Sequence, residues 1–480
     1  MHSHRTISFI WIVTAVVGFN ISVSVHAQNR IGSGKADVLY QQLCAGCHGE
    51  FGTGRMGLNL VDGQWKYGSE DDDLARAIRD GFPEMNKPGF GHVLSEEQIR
   101  SLVIYVRELK VIADHNALLK RTMPNEGVFK TEKHPCKLET VFEGDGIFWS
   151  LAFFPDSSIL TTQRSGMLWH IRNGQKQSIR GIPEVWNKGQ GGLLEVALHP
   201  EYNENGWIYL SCTVSEDNNE GITHVVRGKI TAGQWHSQEV LFAPPSDGLS
   251  SGVHFGSRFV FKDGYLFFSI GDRGRKEHAQ IIDRPNGKIY RIHDDGRIPA
   301  DNPFVNQGGT AAAVWSYGHR NPQGLDMDPM SKFIWESEHG PRGGDEINLI
   351  EGGKNYGWPI ITYGMNYNGS PITDKTAAPG MEQPKHYWTP SIAVCGIDFY
   401  EGNLFPLWKN NLFVTGLASE ELHRLVINEN KIVGDEIILK NQGRLRDVES
   451  SPDGALYVLF EDRDNNRSRI VRLIPVEMEH

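Results

Sequence analysis

Phe259-Val260-Phe261-Lys262-Asp263-Gly264, followed at once by Tyr265-Leu266-Phe267-Phe268, decides how most of this chain folds. An apolar strand, a turn of Asp and Gly, and a second apolar strand make a β-hairpin. The same form recurs. Its anchors begin at Leu151 (LAFFPD), Val196 (VALHPE), Phe259, Leu325 (LDMDPM), Ile397 (IDFYEG) and Val448 (VESSPDG), spaced 45 to 72 residues apart. Second strands follow at Ile159–Thr161, Ile208–Leu210, Tyr265–Phe268, Phe333–Trp335, Leu412–Val414 and Leu456–Val458. A third strand shows in Lys288-Ile289-Tyr290-Arg291 and Arg469-Ile470-Val471-Arg472. Six such units predict an all-β six-bladed β-propeller over residues 136–476.

The whole chain has 480 residues, with 39% hydrophobic and 22% charged side chains, which suits a folded protein rather than a disordered one. Lys plus Arg is 48 and Asp plus Glu is 59, so the net charge is −11. That balance argues against nucleic acid or anionic lipid as the main partner. With 53 Gly and many aromatics, the composition favours short strands and tight turns. Five Cys are too few for a disulfide scaffold.

Residues 1–27 read as a secretory signal. Arg5 lies in the short leading region, an apolar run from Ile7 to Val17 follows, and Val25-His26-Ala27 offers small residues for cleavage. A periplasmic or secreted protein is expected. No other run approaches the roughly 20 apolar residues of a membrane helix, so the mature chain is expected to have no span.

A small all-α cytochrome c domain is expected over residues 30–112. Cys44-Ala45-Gly46-Cys47-His48 is the attachment pattern for haem c. Two thiols add to the haem vinyl groups and His48 becomes an iron ligand. Ser95 to Gln98 forms a capping box, and Ile99, Leu102, Val103, Tyr105 and Val106 follow with helical spacing. The flanks resemble a class I cytochrome c. That resemblance implies a second axial ligand from the loop before the last helix, and Met85 within Gly81–Phe90 is the choice. Residues 113–135, with Pro124 and Pro135, read as a linker.

Hairpin geometry brings the start of each first strand and the end of each second strand to the same rim. Gln190, His254, Arg320-Asn321, Arg444 and Arg446 precede or open first strands. Arg164, Asp272 and Glu338-His339-Gly340-Pro341 follow second strands. A propeller mouth lined this way is a ligand site. His254 with Asp272 suits a general base. Arg320, Arg444 and Arg446 suit a multiply anionic ligand. The carbonyls of Gly340-Pro341 are oxygens of the kind Ca²⁺ takes.

These residues carry a resemblance. Gly189-Gln190-Gly191-Gly192-Leu193-Leu194, Gly271-Asp272-Arg273-Gly274, Gly318-His319-Arg320-Asn321-Pro322-Gln323-Gly324, Gly340-Pro341 with Asp345-Glu346-Ile347-Asn348, and Asn355-Tyr356-Gly357-Trp358-Pro359 resemble the soluble PQQ-dependent glucose/sorbosone (aldose sugar) dehydrogenase family. The resemblance covers residues 140–475. It implies pyrroloquinoline quinone (PQQ) over the mouth, met by Arg320, Asn321, Arg444 and Arg446. It implies an active-site Ca²⁺ on the Gly340 and Pro341 carbonyls, and a structural Ca²⁺ on Glu346 and the Tyr356 carbonyl. His254 would be the base, Asp272 its orienting partner, Gln190 a substrate contact, and Trp388 a residue stacking on the quinone. Val253 stands where glucose-specific relatives carry Asp, Ala418 where some carry Lys, and His339 where a Gln is usual.

The expected function is oxidation of an aldose or sorbosone-like sugar with PQQ, electrons passing to haem c and then to an external cytochrome or quinone acceptor. The alternative is a non-catalytic ligand- or partner-binding propeller with a haem relay. His254, Asp272, Arg320 and the Gly340-Pro341 turn favour the enzyme. One disulfide plus a buried thiol among Cys136, Cys212 and Cys395 is left open.

Overall fold

A computed structural model describes residues 35–85, 87–117, 127–215 and 219–476. The expected signal, residues 1–27, lies outside the described residues. Among the described residues twenty-four strands form six four-stranded antiparallel sheets. Blade 1 is residues 148–179, blade 2 is 193–242, blade 3 is 259–317, blade 4 is 322–388 and blade 5 is 394–440. Blade 6 takes three strands from 444–475 and its fourth, Cys136–Asp145, from the other end of the propeller sequence. That borrowed strand pairs with Arg467–Pro475, so the first and last strands close the ring on each other.

The anchors behave as hairpin chemistry dictates. Lys262 pairs with Tyr265, leaving Asp263 and Gly264 as a two-residue loop. Both have positive φ, 54° and 77°, the backbone that a tight hairpin needs and that Asp-Gly tolerates. Each anchor lies on the first strand of its blade, and each expected second strand is the next one.

Apolar faces of neighbouring blades pack against each other. Leu160 and Leu168 of blade 1 meet Val196 and Leu210 of blade 2. Phe142 and Phe148 meet Tyr457 and Leu459 across the closure between blades 6 and 1. Every one of the six interfaces holds such a cluster. Burial of this apolar area is the main stabilising term. Cys136 and Cys212 sit in two different clusters, and Cys395 lies in a third place beside Arg446. All are free and buried, so no disulfide forms among them.

The N-terminal part is helical: α1 (Lys35–Leu43), α2 (Ala45–His48), α3 (Asp71–Arg79) and α4 (Glu96–Ala117). Ser95 and Gln98 make both bonds of the capping box. α4 runs past residue 112 into the stretch expected as linker. Ala36, Tyr40, Leu102, Tyr105 and Leu109 form the core of this part. Among the described residues no helix is long and apolar enough to cross a membrane.

Candidate active site and haem site

The mouth of the propeller gathers residues that are far apart in sequence. His254 is in a left-handed conformation (φ 54°) just before blade 3, and its backbone N–H donates to Gln190 Oε1 at 2.8 Å. Its Nδ1 lies 2.6 Å from Asp272 Oδ1. Asp272 also accepts from Trp358 Nε1 and from the Gly274 N–H, both at 2.8 Å. Three fixed donors therefore hold this carboxylate, and the carboxylate holds the imidazole with Nε2 turned away from it. Burial and the nearby Arg320 keep His254 below its ordinary value, outweighing Asp272, so the ring is neutral. Burial alone would raise Asp272, but its bond to His254 and the nearby cations leave it below the usual carboxylate value. A neutral imidazole oriented by a carboxylate is equipped to take a proton.

A second group of side chains at the mouth is cationic. Glu461, at the end of the second strand of blade 6, receives Arg444 at 2.9 Å, Arg446 at 2.8 Å and Arg463 at 2.7 Å. Arg164 lies close enough that burial, with Arg446 next, lowers its pKa. Four guanidinium groups thus surround one carboxylate, and the excess positive charge fits a ligand with several carboxylates. The residue expected as an oddity, His339, ties the two groups together. Burial pushes it well below its ordinary value, helped by the nearby charges of Arg320, Arg446 and Arg444. Arg320 is held by the His339 carbonyl at 2.8 Å. Asn321 is buried, and its Oδ1 accepts from the Gly256 N–H at 3.2 Å.

The Gly340-Pro341 turn is fixed by the Gly340 N–H, which donates to Asp345 Oδ1 at 2.8 Å. Among the described residues neither turn carbonyl accepts a hydrogen bond, so both remain open to a cation. A small cavity touches Arg320, Glu338, Gly340, Pro341, Glu346 and Tyr356. Behind it, ligand atoms of His319, Glu336 and Glu338 lie within 4.8 Å of one another. Glu336 Oε1 is buried without a hydrogen-bond partner. Burial and the neighbouring Glu338 push Glu336 well above its ordinary value and Glu346 up to about 8. Crowded, dehydrated carboxylates of this kind fit a divalent cation, which would let them ionise.

Trp388 is placed differently from the expectation. It pairs with Asp345 on the outermost strand of blade 4. That register turns its ring into the layer between blades 4 and 5, against Trp335, Ile392 and His423. It belongs to the core rather than to the charged mouth.

In the helical part, His48 Nδ1 lies 2.8 Å from the Leu58 carbonyl, which leaves Nε2 for a metal. A Cβ at Gly57 would meet the His48 ring at 2.9 Å, so only glycine allows this approach. Large apolar side chains near the motif are exposed: Phe51, Met56, Leu58 and Met85. Lys87 lies near enough to Cys44 to influence its thiol, which brings the Met85 loop to the attachment site. An open apolar surface beside two thiols and one oriented imidazole fits a haem.

Sequence reading missed Glu461 and Arg463. The signal was present: Glu461 is the penultimate residue of a second strand, Glu338 ends another, and Asp272 lies two residues past a third. The role of Trp358 was missed as well, although its motif was noted.

Fold and site define a class, a six-bladed propeller oxidoreductase joined to a cytochrome c domain. Glucose / Sorbosone dehydrogenase is the family that matches residues 146–472. Cytochrome C oxidase, cbb3-type, subunit III matches residues 34–106. Aldose sugar dehydrogenase YliI of Escherichia coli (strain K12) is 42% identical over 324 residues, spanning 65% of this chain and 87% of that protein. The apo-form crystal structure of the soluble aldose sugar dehydrogenase from Escherichia coli has TM-score 0.68 and 39% identity, covering 71% of this chain and 100% of that one. The PQQ-bound aldose sugar dehydrogenase from Streptomyces coelicolor has TM-score 0.59 and 26% identity, covering 71% and 98%. The chain belongs to the glucose/sorbosone dehydrogenase family and carries a cytochrome c domain ahead of its propeller.

Proposed function

We propose that this protein oxidises an aldose or sorbosone-like sugar at the propeller mouth with PQQ and Ca²⁺, and delivers the electrons to haem c in its own cytochrome domain. The observation that carries the reading is His254, held by Asp272, in one mouth with Arg444, Arg446 and Arg463, which share one glutamate.

The sugar hydroxyl is placed at His254 Nε2, which takes its proton as the C–H bond breaks. Asp272 keeps Nδ1 protonated and stabilises the imidazolium that forms. Gln190 fixes the His254 backbone and would contact the substrate. Arg320, Asn321, Arg444 and Arg446 would hold the quinone carboxylates. Gly340 and Pro341 would ligate the active-site Ca²⁺, and Glu346 with the Tyr356 carbonyl the structural one. Bound PQQ supplies the acceptor for a hydride, the chemistry that side chains lack. Cys44 and Cys47 would carry the haem, with His48 and Met85 as its iron ligands; this pair raises the potential, which suits electron acceptance. The domains of this reading are the signal (1–27), the cytochrome (30–112), the linker (113–135) and the propeller (136–476). Export follows from the signal, because haem c is attached outside the cytoplasm, and an external cytochrome or quinone reoxidises the haem.

The test adds PQQ and Ca²⁺ to purified haem-loaded protein and follows haem absorption with a panel of aldoses. Reduction by at least one aldose, dependent on both additions, is expected. No reduction with any sugar would leave a ligand-binding propeller as the better reading, and reduction by simple alcohols alone would change the substrate class.

A further inference from the structure

The cytochrome part and the propeller share a core and a buried ion pair. Met365, on the long connection before the last strand of blade 4, is 1% exposed and packs among Ala36, Tyr40, Leu102 and Tyr105. Arg342 donates from Nε and Nη2 to both carboxylate oxygens of Glu108 on α4, at 2.8, 3.1 and 2.6 Å. Both side chains are almost wholly buried. Arg342 directly follows Pro341 of the calcium turn, and its N–H and C=O pair with Met365 at 3.0 Å each way. Ile104 of α4 lies so close to Gly343 that a Cβ there would stand 3.3 Å from its methyl group.

A second anchor sits along the same edge. Asp71 is held by Arg100 at 3.3 Å and Arg107 at 3.0 Å, and accepts from the Tyr387 hydroxyl at 3.4 Å. Arg100 lies 5.3 Å from the ring of Tyr363, which stacks on Tyr387 at 3.8 Å. From Arg342 a line of rings leads back to the haem motif. Its guanidinium is 6.0 Å from the ring of Tyr105, and Tyr105 is 5.3 Å from Tyr40. The Tyr40 hydroxyl donates at 2.9 Å to the carbonyl of Gly49, the residue after His48.

A bidentate pair buried on both sides fixes register, because neither charge can leave without stranding the other. We propose that Glu108 and Arg342 are positioning residues that lock the cytochrome domain onto the calcium turn, making Arg342, Tyr105 and Tyr40 a packed path for electrons from the mouth to the haem. The electron path rests on the function proposed above; the lock itself does not. Oxidation of one aldose to its lactone releases two electrons and two protons. A bound haem c would take one electron at a time, so the path is used twice per sugar. An external one-electron acceptor reoxidises the haem each time, and both protons reach solvent.

Two measurements on the full haem-loaded protein test this. With PQQ, Ca²⁺ and an aldose, Glu108→Gln should slow haem reduction about tenfold or more, while sugar oxidation coupled to a small soluble dye stays within about twofold and the haem spectrum is unchanged. Arg100→Gln, at the outer anchor, should give a smaller loss of the same kind, and serves if Glu108→Gln fails to fold. Haem reduction equal to wild type in folded Glu108→Gln would overturn the path. In protein without PQQ, amide exchange at 342–344 should quicken in Glu108→Gln; equal protection would overturn the lock. Wild-type protein that reduces neither dye nor haem would sink the functional reading alone, and the exchange measurement would still decide the docking.

Discussion

Two buried charge clusters in the propeller look alike and are built on opposite principles. In the shaft, Arg258 meets Glu195 and Asp447, each at 2.8 Å. Its Nε donates to the Gln323 carbonyl at 2.7 Å, Ser150 donates to Glu195, and the Leu151 N–H to Asp447. Blades 1, 2, 3, 4 and 6 all contribute; one cation meets two carboxylates, and burial pushes Glu195 up to about 7, so a single proton shared between the carboxylates balances the cluster. At the mouth, Glu461 is one carboxylate among Arg164, Arg444, Arg446 and Arg463. Burial alone would raise Glu461, yet the arginines hold it far below the usual carboxylate range. The difference teaches that burial of charge does not by itself mark a site. A cluster whose charges are matched holds the ring together; one left in excess is waiting for a ligand of opposite sign.

Breaking the matched cluster should have the largest effect. Arg258→Met strands two buried carboxylates and should cost about 3–5 kcal/mol of stability, read from urea unfolding. A loss below about 1 kcal/mol would show that the shaft is not the matched cluster described.

Next comes His254, the proposed proton acceptor beside the unmatched cluster. His254→Gln should lower kcat by roughly 10²–10⁴ with an unchanged melting temperature. Activity near wild type would remove His254 from the chemistry.

A smaller effect sharpens the contrast at the mouth itself. Arg444 is partly exposed, and Arg446 and Arg463 remain on Glu461 without it. Arg444→Met should therefore weaken PQQ binding about tenfold, or 1.4 kcal/mol, measured by titration calorimetry. Folding stability should change by less than about 1 kcal/mol. Stability loss without weaker binding would make the mouth a second structural cluster.

The smallest expected effect is a titration. Burial and Arg320 lower the His254 pKa, so as pH falls through about 6.5 the ring stays neutral and gains its proton only further down. NMR titration of the imidazole in protein without PQQ should give a midpoint below 6.5. A midpoint at or above that value would mean that Asp272 outweighs the surrounding cations.

Much of this was legible in the sequence because hairpins are local. Asp263-Gly264 specifies its own turn, and the alternation around it specifies two strands, so the six blades could be counted. The rim followed from the same geometry, since strand starts and ends alternate between two edges; Gln190, His254, Asp272, Arg320 and Gly340 meet as the register required. Cys44-Ala45-Gly46-Cys47-His48 was equally local. Trp388 was not legible, because the face a strand residue presents depends on the register of Asp345 against it. Nor was Glu461 as the shared partner of three arginines, because their meeting depends on the register of the first two strands of blade 6, which sets Arg444 opposite Glu461.

The chain by itself determined its repeating unit, its haem-attachment motif and the kinds of side chain that crowd one rim, since each rests on residues within one or two turns of each other. Tertiary structure alone decided which charges are matched and which are left over, and that α4 of the cytochrome rests beside the Gly340-Pro341 turn through Glu108 and Arg342. Those outcomes depend on distances between residues hundreds of positions apart, and electrostatic energy and packing are functions of distance in space, not of separation along the chain.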